Sequence, residues 1–290
     1  MRSLLFVPGD SEKKLAKGLE SGADALIIDL EDSVAAGRKE AARRLTAEVV
    51  TGAKAGPLLY VRVNDLSTGL TDDDLAAVVK AGPAGIMLPK SNSGEDVARL
   101  AVRLRVHEAE AGIADGATRI LPIITETPAG VLNAGTYAGA SERLSGLTWG
   151  AEDLSAEIGA AATRDEDGRY TDVFRFARIS TILAACAAEV APIDTVFPNF
   201  RDEEAFHRDC LEGARDGFTG RMAIHPVQVP VINAVFTPSP EAVAEARAVV
   251  DAFAAAGNPG VVAIDGKMYD RPHLKRAERL LARAGAAGLG

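Results

Sequence analysis

The chain of 290 residues suits one large α/β domain or two small ones, and 47% hydrophobic with 25% charged residues is typical of a globular protein. The net charge of −9 argues against nucleic acid as a partner, although a locally positive cleft can still bind an anionic substrate. Cys186 and Cys210 lack Cys-x-x-Cys spacing, which favours reduced structural thiols. No apolar run approaches a membrane span, and the N-terminal patch is too short for a signal segment, so we expect a cytoplasmic protein that does not bind membranes.

Apolar runs typical of buried strands alternate with helical patterns along most of the chain. The predicted strands are 3–7, 25–31, 58–63, 85–88, 120–125, 144–149, 193–196 and 220–224. The predicted helices are 11–21, 37–51, 71–80, 94–111, 171–188 and 202–216, with Thr71 as the N-cap of the third. This regular alternation predicts a (β/α)₈ TIM barrel. An open doubly wound sheet is the alternative, because periodicity alone cannot show closure, but no Gly-x-Gly-x-x-Gly follows the first strand.

The residues after His225 exceed what a barrel needs. A helix is predicted over 238–256, beginning at a cap formed by Ser239. A strand-like run at 261–264, the turn Asp265-Gly266 and a final basic helix at 273–284 follow. We therefore expect a catalytic barrel at 1–237 and a C-terminal helical extension at 238–290.

Two carboxylates, Glu126 and Asp153, stand just beyond the fifth and sixth predicted strands. An isolated charge at such a position cannot remain buried, so it must reach solvent, a cation or a metal. Because the working residues of a TIM barrel cluster at the carboxyl ends of its strands, both side chains are candidate Mg²⁺ ligands. The structural alternative is that each acid merely caps or begins a helix.

A second acidic cluster, Asp29, Glu31 and Asp32, follows the second strand. Arg62 lies inside an apolar run of the third strand, where a cation needs a partner. It is therefore either half of a structural ion pair or a clamp for a developing oxyanion. His225 ends the eighth strand, but a lone histidine there is more often structural than catalytic.

Eight short motifs in order resemble the citrate lyase β-subunit-like family, which includes the malyl-CoA and citramalyl-CoA lyases of the HpcH/HpaI aldolase superfamily. The motifs are RSLLFVPG at 2–9, DLEDSV at 29–34, VRVN at 61–64, LPK at 88–90, ETPAG at 126–130, GAEDL at 150–154, AIHP at 223–226 and GKMYD at 266–270. One motif alone would be weak support, whereas the ordered set spans nearly the whole chain.

The resemblance implies a TIM barrel with Mg²⁺ on Glu126 and Asp153. It implies that Arg62, held by Glu31 and Asp32, stabilises an enolate. It further implies that the C-terminal extension covers the active site of a neighbouring subunit in a homotrimer or hexamer and brings the catalytic base Asp270 there. The expected reaction is cleavage or formation of a 3-hydroxyacyl-CoA, with an acyl-CoA thioester and a 2-oxo acid as the small-molecule partners.

Several other functions are compatible with the same sequence. A malyl-CoA thioesterase would use the same site, and a citrate lyase β subunit would need partner subunits. An aldolase for free pyruvate would use a histidine base early in the barrel, and no histidine precedes His107. A non-catalytic CoA-binding subunit would be expected to have lost its metal site, yet Glu126 and Asp153 are both present.

Overall fold

The computed structural model describes residues 1–53 and 55–289. The first eight strands are β1 Ser3–Pro8, β2 Ala25–Asp29, β3 Leu58–Arg62, β4 Gly85–Leu88, β5 Arg119–Pro122, β6 Gly146–Thr148, β7 Ala191–Asp194 and β8 Gly220–Ala223. They form one parallel sheet in the order β5-β4-β3-β2-β1-β8-β7-β6. Every predicted strand is therefore found, with ends that shift by a few residues.

The sheet closes on itself between β5 and β6. Ile120 N donates a hydrogen bond to Arg143 O at 2.8 Å, and Ile124 N donates to Thr148 O at 2.9 Å. Ile123 also pairs in parallel with Thr148. The predicted TIM barrel is confirmed, and the open doubly wound sheet is wrong.

Apolar side chains fill the interior of the barrel, which is why its strands read as nearly continuous hydrophobic runs. All five residues of β2 are buried. The interior cluster draws on strands all around the barrel and includes Leu4, Ile27, Tyr60, Met87, Leu121, Ile193 and Met222. This packed core leaves room for a ligand only at an end of the barrel.

The helices lie between and after the strands. They are α1 Glu12–Leu19, α2 Lys39–Gly52, α3 Thr71–Val78, α4 Gly94–Glu110, α5 Pro128–Leu132, α6 Ala151–Ile158, α7 Asp172–Ala187, α8 Glu203–Asp216, α9 Gln228–Phe236, α10 Pro240–Ala255 and α11 Arg271–Ala286. The short helices α5 and α6 and the helix α9 were not predicted. In the described part of the chain, no helix combines the length and apolarity that crossing a bilayer requires.

The predicted cap at Thr71 is wrong. Leu70 occupies the N-cap position, and Thr71 is the first residue of α3. Its hydroxyl instead donates to the carbonyls of Asn64 at 3.0 Å and Asp65 at 2.9 Å. Thr71 therefore fastens the loop after β3 to the start of the helix.

The chain divides into two compact units, Met1–Ile232 and Asn233–Gly290, close to the boundary expected at residue 237. The second unit contains α10 and α11 and also an antiparallel hairpin of β9 Val261–Ile264 and β10 Lys267–Asp270. Phe253, Val262 and Leu274 belong to its own small core. The side chain of Ser239 caps α10 as predicted, by accepting a hydrogen bond from Ala242 N.

Candidate active site

A cavity of about 920 Å³ opens at the carboxyl ends of the barrel strands. That volume lies in the range of small-molecule sites. Its wall includes Arg62 from the end of β3, Glu126 beyond β5 and Asp153 beyond β6. Aromatic and apolar side chains, among them Phe6 and Trp149, complete it. The cavity therefore lies at the end of the barrel where TIM-barrel enzymes carry their chemistry.

Glu126 is almost completely buried, with 2% of its surface exposed. Its Oε2 accepts a hydrogen bond from Lys90 N at 2.5 Å. Burial, and then the nearby charge of Asp153, raise the pKa of Glu126 to about 8. Thr127, not Glu126, caps α5 through a hydrogen bond accepted from Gly130 N, so helix capping does not explain the buried acid.

Gly150 provides the space that Glu126 occupies. A Cβ at residue 150 would lie 2.6 Å from Glu126 Cγ and 3.2 Å from its Oε1. The backbone of Gly150 is extended, with φ −125° and ψ 116°, so the requirement is for space and not for a left-handed conformation. The glycine therefore permits the close approach of β6 to the Glu126 side chain.

Asp153 lies in the first turn of α6, where a negative charge suits the positive end of the helix dipole. Its carboxylate also faces the cavity, with Oδ1 at 3.6 Å from Lys90 Nζ. About a third of the side chain, 34%, is exposed. Asp153 therefore does stabilise the start of α6, as the structural alternative predicted, but its carboxylate is also part of the cavity wall.

Arg62 is fixed by two acids. Its Nε and Nη2 donate to the two carboxylate oxygens of Asp29, each at 2.8 Å. Its Nη1 lies 2.9 Å from Glu31 Oε2, an ion pair without hydrogen-bond geometry. Burial lowers the pKa of Arg62, but the hydrogen bonds and charge of Asp29 outweigh it and raise this pKa above its ordinary value. Arg62 is therefore a permanent, immobile cation at the cavity wall.

Asp32 does not hold Arg62 as the family resemblance implied. Its carboxylate is exposed, and Oδ2 lies 3.5 Å from Lys90 Nζ. The contact with Arg62 that was predicted for Asp32 is made by Asp29, which is only 2% exposed and binds the guanidinium through both carboxylate oxygens. Asp32 still lines the cavity, so it remains available to a ligand there.

Lys90 links the acids, and sequence reasoning gave it no role. Its Nζ lies 2.6 Å from Glu31 Oε1 and approaches Asp32 and Asp153. Its backbone has φ 49°, a left-handed conformation that is uncommon outside glycine. This conformation accompanies the backbone hydrogen bond to Glu126, and such strain is characteristic of functional sites.

The residues present fit a magnesium ion. Glu126 and Asp153 offer hard oxygen ligands at one cavity, where a cation would stabilise the charged form of the buried Glu126. In the described ranges, no group of three or more His, Cys, Asp or Glu side chains is placed to hold a metal. A site of two carboxylates suits Mg²⁺, which usually keeps several waters, better than Zn²⁺.

Arg62, Glu31, Asp32, Glu126 and Asp153 thus lie together at one end of the barrel, and their catalytic and metal-binding roles stay predictions. Asp270 lies in the second compact unit, at the N-cap of α11. Its Oδ1 is 2.5 Å from His273 Nδ1. Its catalytic role stays a prediction.

The barrel and its acidic mouth are those of an aldolase-type TIM-barrel protein. The sequence model of the HpcH/HpaI aldolase/citrate lyase family matches residues 2–226, so the chain belongs to this family. The family resemblance drawn from the eight motifs is confirmed.

Relatives at similar identity carry different activities. The chain is 35% identical to the citrate lyase subunit beta of Leuconostoc mesenteroides subsp. cremoris, covering 98% of this chain and 93% of the relative. It is also 35% identical to a (3S)-malyl-CoA thioesterase of Cereibacter sphaeroides, covering 98% and 95%. The crystal structure of CitE from Mycobacterium tuberculosis with magnesium, acetoacetate and coenzyme A superposes with a TM-score of 0.77, 34% identity and 98% coverage of both chains.

Proposed function

We propose that this chain is a Mg²⁺-dependent carbon–carbon lyase or synthase that interconverts a 3-hydroxyacyl-CoA of the malyl-CoA or citramalyl-CoA type with an acyl-CoA and a 2-oxo acid. The observation that carries the proposal is the placement of Arg62, fixed by Asp29 and Glu31, at the same cavity as the carboxylates of Glu126 and Asp153. A relative that binds magnesium, acetoacetate and coenzyme A supports the same chemistry.

Glu126 and Asp153 would hold the ion, which when bound supplies a Lewis acid for the oxygens of the 2-oxo acid portion. In cleavage, a base takes the proton of the 3-hydroxyl group and the C–C bond breaks. The electron pair moves onto the thioester carbonyl as an enolate, which is then protonated at carbon. Arg62 donates hydrogen bonds to the developing oxyanion, and its fixed position avoids reorganisation during the reaction.

Asp270 of a neighbouring subunit is our candidate for the group that removes the α-proton of the acyl-CoA in synthesis and returns it to the enolate carbon in cleavage. In its own unit its hydrogen bond to His273 lowers the pKa of Asp270. A carboxylate with a low pKa is a weak base, so proton transfer at the thioester requires strong stabilisation of the enolate. Arg62 provides that stabilisation, which makes the two residues interdependent.

Two lysines on α1 are candidates for the phosphates of CoA. Lys14 and Lys17 both line the cavity, one helical turn apart. Lys13, beside them in the sequence, is exposed and is not part of the cavity wall. In a chain of net charge −9, these side chains provide local positive charge for a polyanionic substrate.

The proposed homo-oligomer needs a contact surface, and α7 offers one. Val173, Phe176, Ile179 and Leu183 recur at helical spacing and are 51%, 56%, 50% and 64% exposed. Such an apolar stripe on a helix marks an interaction site. We assign it to the contact between copies of the chain in the proposed trimer or hexamer.

The test is a screen of 3-hydroxyacyl-CoA thioesters with MgCl₂, in which acyl-CoA and 2-oxo acid are both quantified by liquid chromatography. Glu126→Ala and Asp153→Ala should abolish turnover. Glu95→Ala, which removes an exposed acid from the first turn of α4, is the matched control and should keep wild-type activity. Wild-type turnover in both cavity variants would refute the metal assignment.

Thioester hydrolysis is the second candidate, and the equal identity to a (3S)-malyl-CoA thioesterase favours it. The two reactions leave different products. Hydrolysis of malyl-CoA releases malate and free thiol, whereas C–C cleavage gives glyoxylate and acetyl-CoA with no free thiol. Turnover only with added acyl-carrier subunits would indicate a citrate lyase β subunit, and no turnover despite CoA binding would indicate a non-catalytic subunit.

A further inference from the structure

A cluster of buried charges lies behind the cavity wall and has no part in the reaction above. Its buried members are Arg178, Asp194, Asp209 and Arg221, and the partly exposed Arg164 pairs with Asp209 at its edge. Arg221 in β8 is fully buried, and Asp194 at the end of β7 is 1% exposed. Buried ion pairs contribute little net stability compared with apolar residues of the same volume, so this arrangement invites a functional explanation.

Asp194 connects the arginines to the cavity. Its Oδ2 lies 3.2 Å from Arg178 Nη2 and 3.7 Å from Arg221 Nη1. Its Oδ1 accepts hydrogen bonds from Trp149 Nε1 at 2.7 Å and from Thr195 N at 2.9 Å. One oxygen therefore faces the cations, and the other holds the indole.

Trp149 is held on a second side by an edge contact with Tyr170, whose ring centre is 5.0 Å away. The indole is completely buried from solvent, yet it forms part of the cavity wall. It directly precedes Gly150, the residue packed against Glu126, and the α6 turn that carries Asp153. A displacement of Trp149 would therefore move both proposed metal ligands relative to each other.

We propose that Asp194, paired with Arg178 and Arg221, is a positioning residue that fixes Trp149 and thereby sets the separation of Glu126 and Asp153 for a divalent cation. The proposal rests on the proposed function, because it treats these carboxylates as the metal ligands. It assigns a role in metal affinity to a residue outside the cavity.

An amide at residue 194 could not replace the carboxylate. Both oxygens of Asp194 accept from donors, whereas the NH₂ group of an asparagine would face either the arginines or the indole N–H, donor against donor. Little space exists for relaxation, since a Cβ at Gly213 of α8 would lie 2.6 Å from Asp194 Oδ2. Asp194→Asn should therefore shift the indole while it preserves the volume of the side chain.

If Asp194 had a purely structural role, Asp194→Asn would lower the melting temperature but leave Mg²⁺ binding unchanged. The matched control is Glu108→Gln, since Glu108 is also a fully buried acid that pairs with an arginine, Arg143, and does not line the cavity. Asp194→Asn and Glu108→Gln should both lower the melting temperature. Only the first should weaken Mg²⁺ binding.

The experiment measures the Mg²⁺ dissociation constant by calorimetry in the full-length chain. We expect it to rise about 10- to 100-fold in Asp194→Asn and in Trp149→Phe, as for residues that orient metal ligands in other proteins. It should keep the wild-type value in Glu108→Gln. The chain has 1 tryptophan, so a shift of its emission in Asp194→Asn reports the displaced indole directly.

Wild-type Mg²⁺ affinity in both Asp194→Asn and Trp149→Phe would overturn the proposal. If Asp194→Asn does not fold, Trp149→Phe decides alone. If the wild-type chain binds Mg²⁺ but turns over no thioester, the proposed reaction is refuted. The comparison of Mg²⁺ dissociation constants among the variants still tests the positioning role. If Glu126→Gln binds Mg²⁺ as tightly as wild type, the metal site is wrong and the positioning role is refuted with it.

Discussion

Replacement of Arg62 by lysine tests the centre of the proposed mechanism. Arg62 contacts Asp29 through two parallel hydrogen bonds of 2.8 Å and presents its third nitrogen toward Glu31. A lysine ammonium keeps the positive charge but lacks the planar fork, so it cannot satisfy both acids and face the substrate as well. The substitution therefore removes geometry while it retains charge.

The structure sets the size of the effect. Loss of one charge-assisted hydrogen bond to the buried Asp29 should lower the free energy of unfolding by about 1.5–3 kcal/mol. Loss of an oriented donor to the oxyanion should lower kcat by about 10²–10³, or roughly 2.7–4 kcal/mol. The Mg²⁺ dissociation constant should change little, since Arg62 is not a proposed ligand.

The assay compares Arg62→Lys with Arg43→Lys by steady-state kinetics and chemical denaturation. Arg43 makes a similar pair with the fully buried Asp74, at 2.6 Å, and lies outside the cavity wall. Both variants should lose stability, but only Arg62→Lys should lose kcat. Equal kcat in the two variants would show that Arg62 is a structural cation, and the oxyanion role would be wrong.

Three further results are expected. A double substitution of Lys14 and Lys17 by alanine should raise KM for the CoA thioester about tenfold through lost phosphate contacts, with KM for the 2-oxo acid unchanged; an equal rise in both would contradict the phosphate assignment. Hydrogen bonding outweighs desolvation and lowers the pKa of Glu108 from 4.5 to about 2. Ionised Glu108 thus contributes roughly 3 kcal/mol to the free energy of unfolding above pH 4.5, and this contribution is lost as the pH falls toward 2. Acid denaturation should show the loss in wild type but not in Glu108→Gln. Inactive Asp270→Ala and Arg62→Ala chains should regain activity when mixed oligomers form, and mixed oligomers without activity would argue against a shared site.

The positions of the main site residues followed from the sequence because strand ends are readable from it. Apolar runs that stop at Glu126 and before Asp153 place both acids at one end of any parallel barrel. Arg62 was detectable as a cation within an apolar strand, which needs a partner. These inferences use spacing and polarity along the chain, and both are local properties.

Contacts across the barrel could not be read in this way. Asp29, Glu31 and Asp32 are equivalent as a sequence cluster. Only the parallel pairing of β2 with β3 places Asp29 beside Arg62, whereas Asp32 lies beyond the end of β2 and is exposed. Lys90 acquires its role from a left-handed backbone conformation, which the sequence Pro89-Lys90 does not predict. Asp194 is a charged residue within the apolar run Ile-Asp-Thr-Val, and this could have indicated a buried ion pair. The predicted strand ran to residue 196, however, so Asp194 was not recognised as the residue that ends the strand.

Gly150 limits how the metal site can be redesigned. An alanine introduced there beside the native glutamate would place its methyl group 2.6 Å from Glu126 Cγ. Shortening the acid by Glu126→Asp does not relieve this contact, because aspartate keeps a carbon at the γ position. An alanine at residue 150 therefore forces the carboxylate at residue 126 to move, whichever acid stands there, and a library that varies residue 150 will yield few variants that keep the metal site.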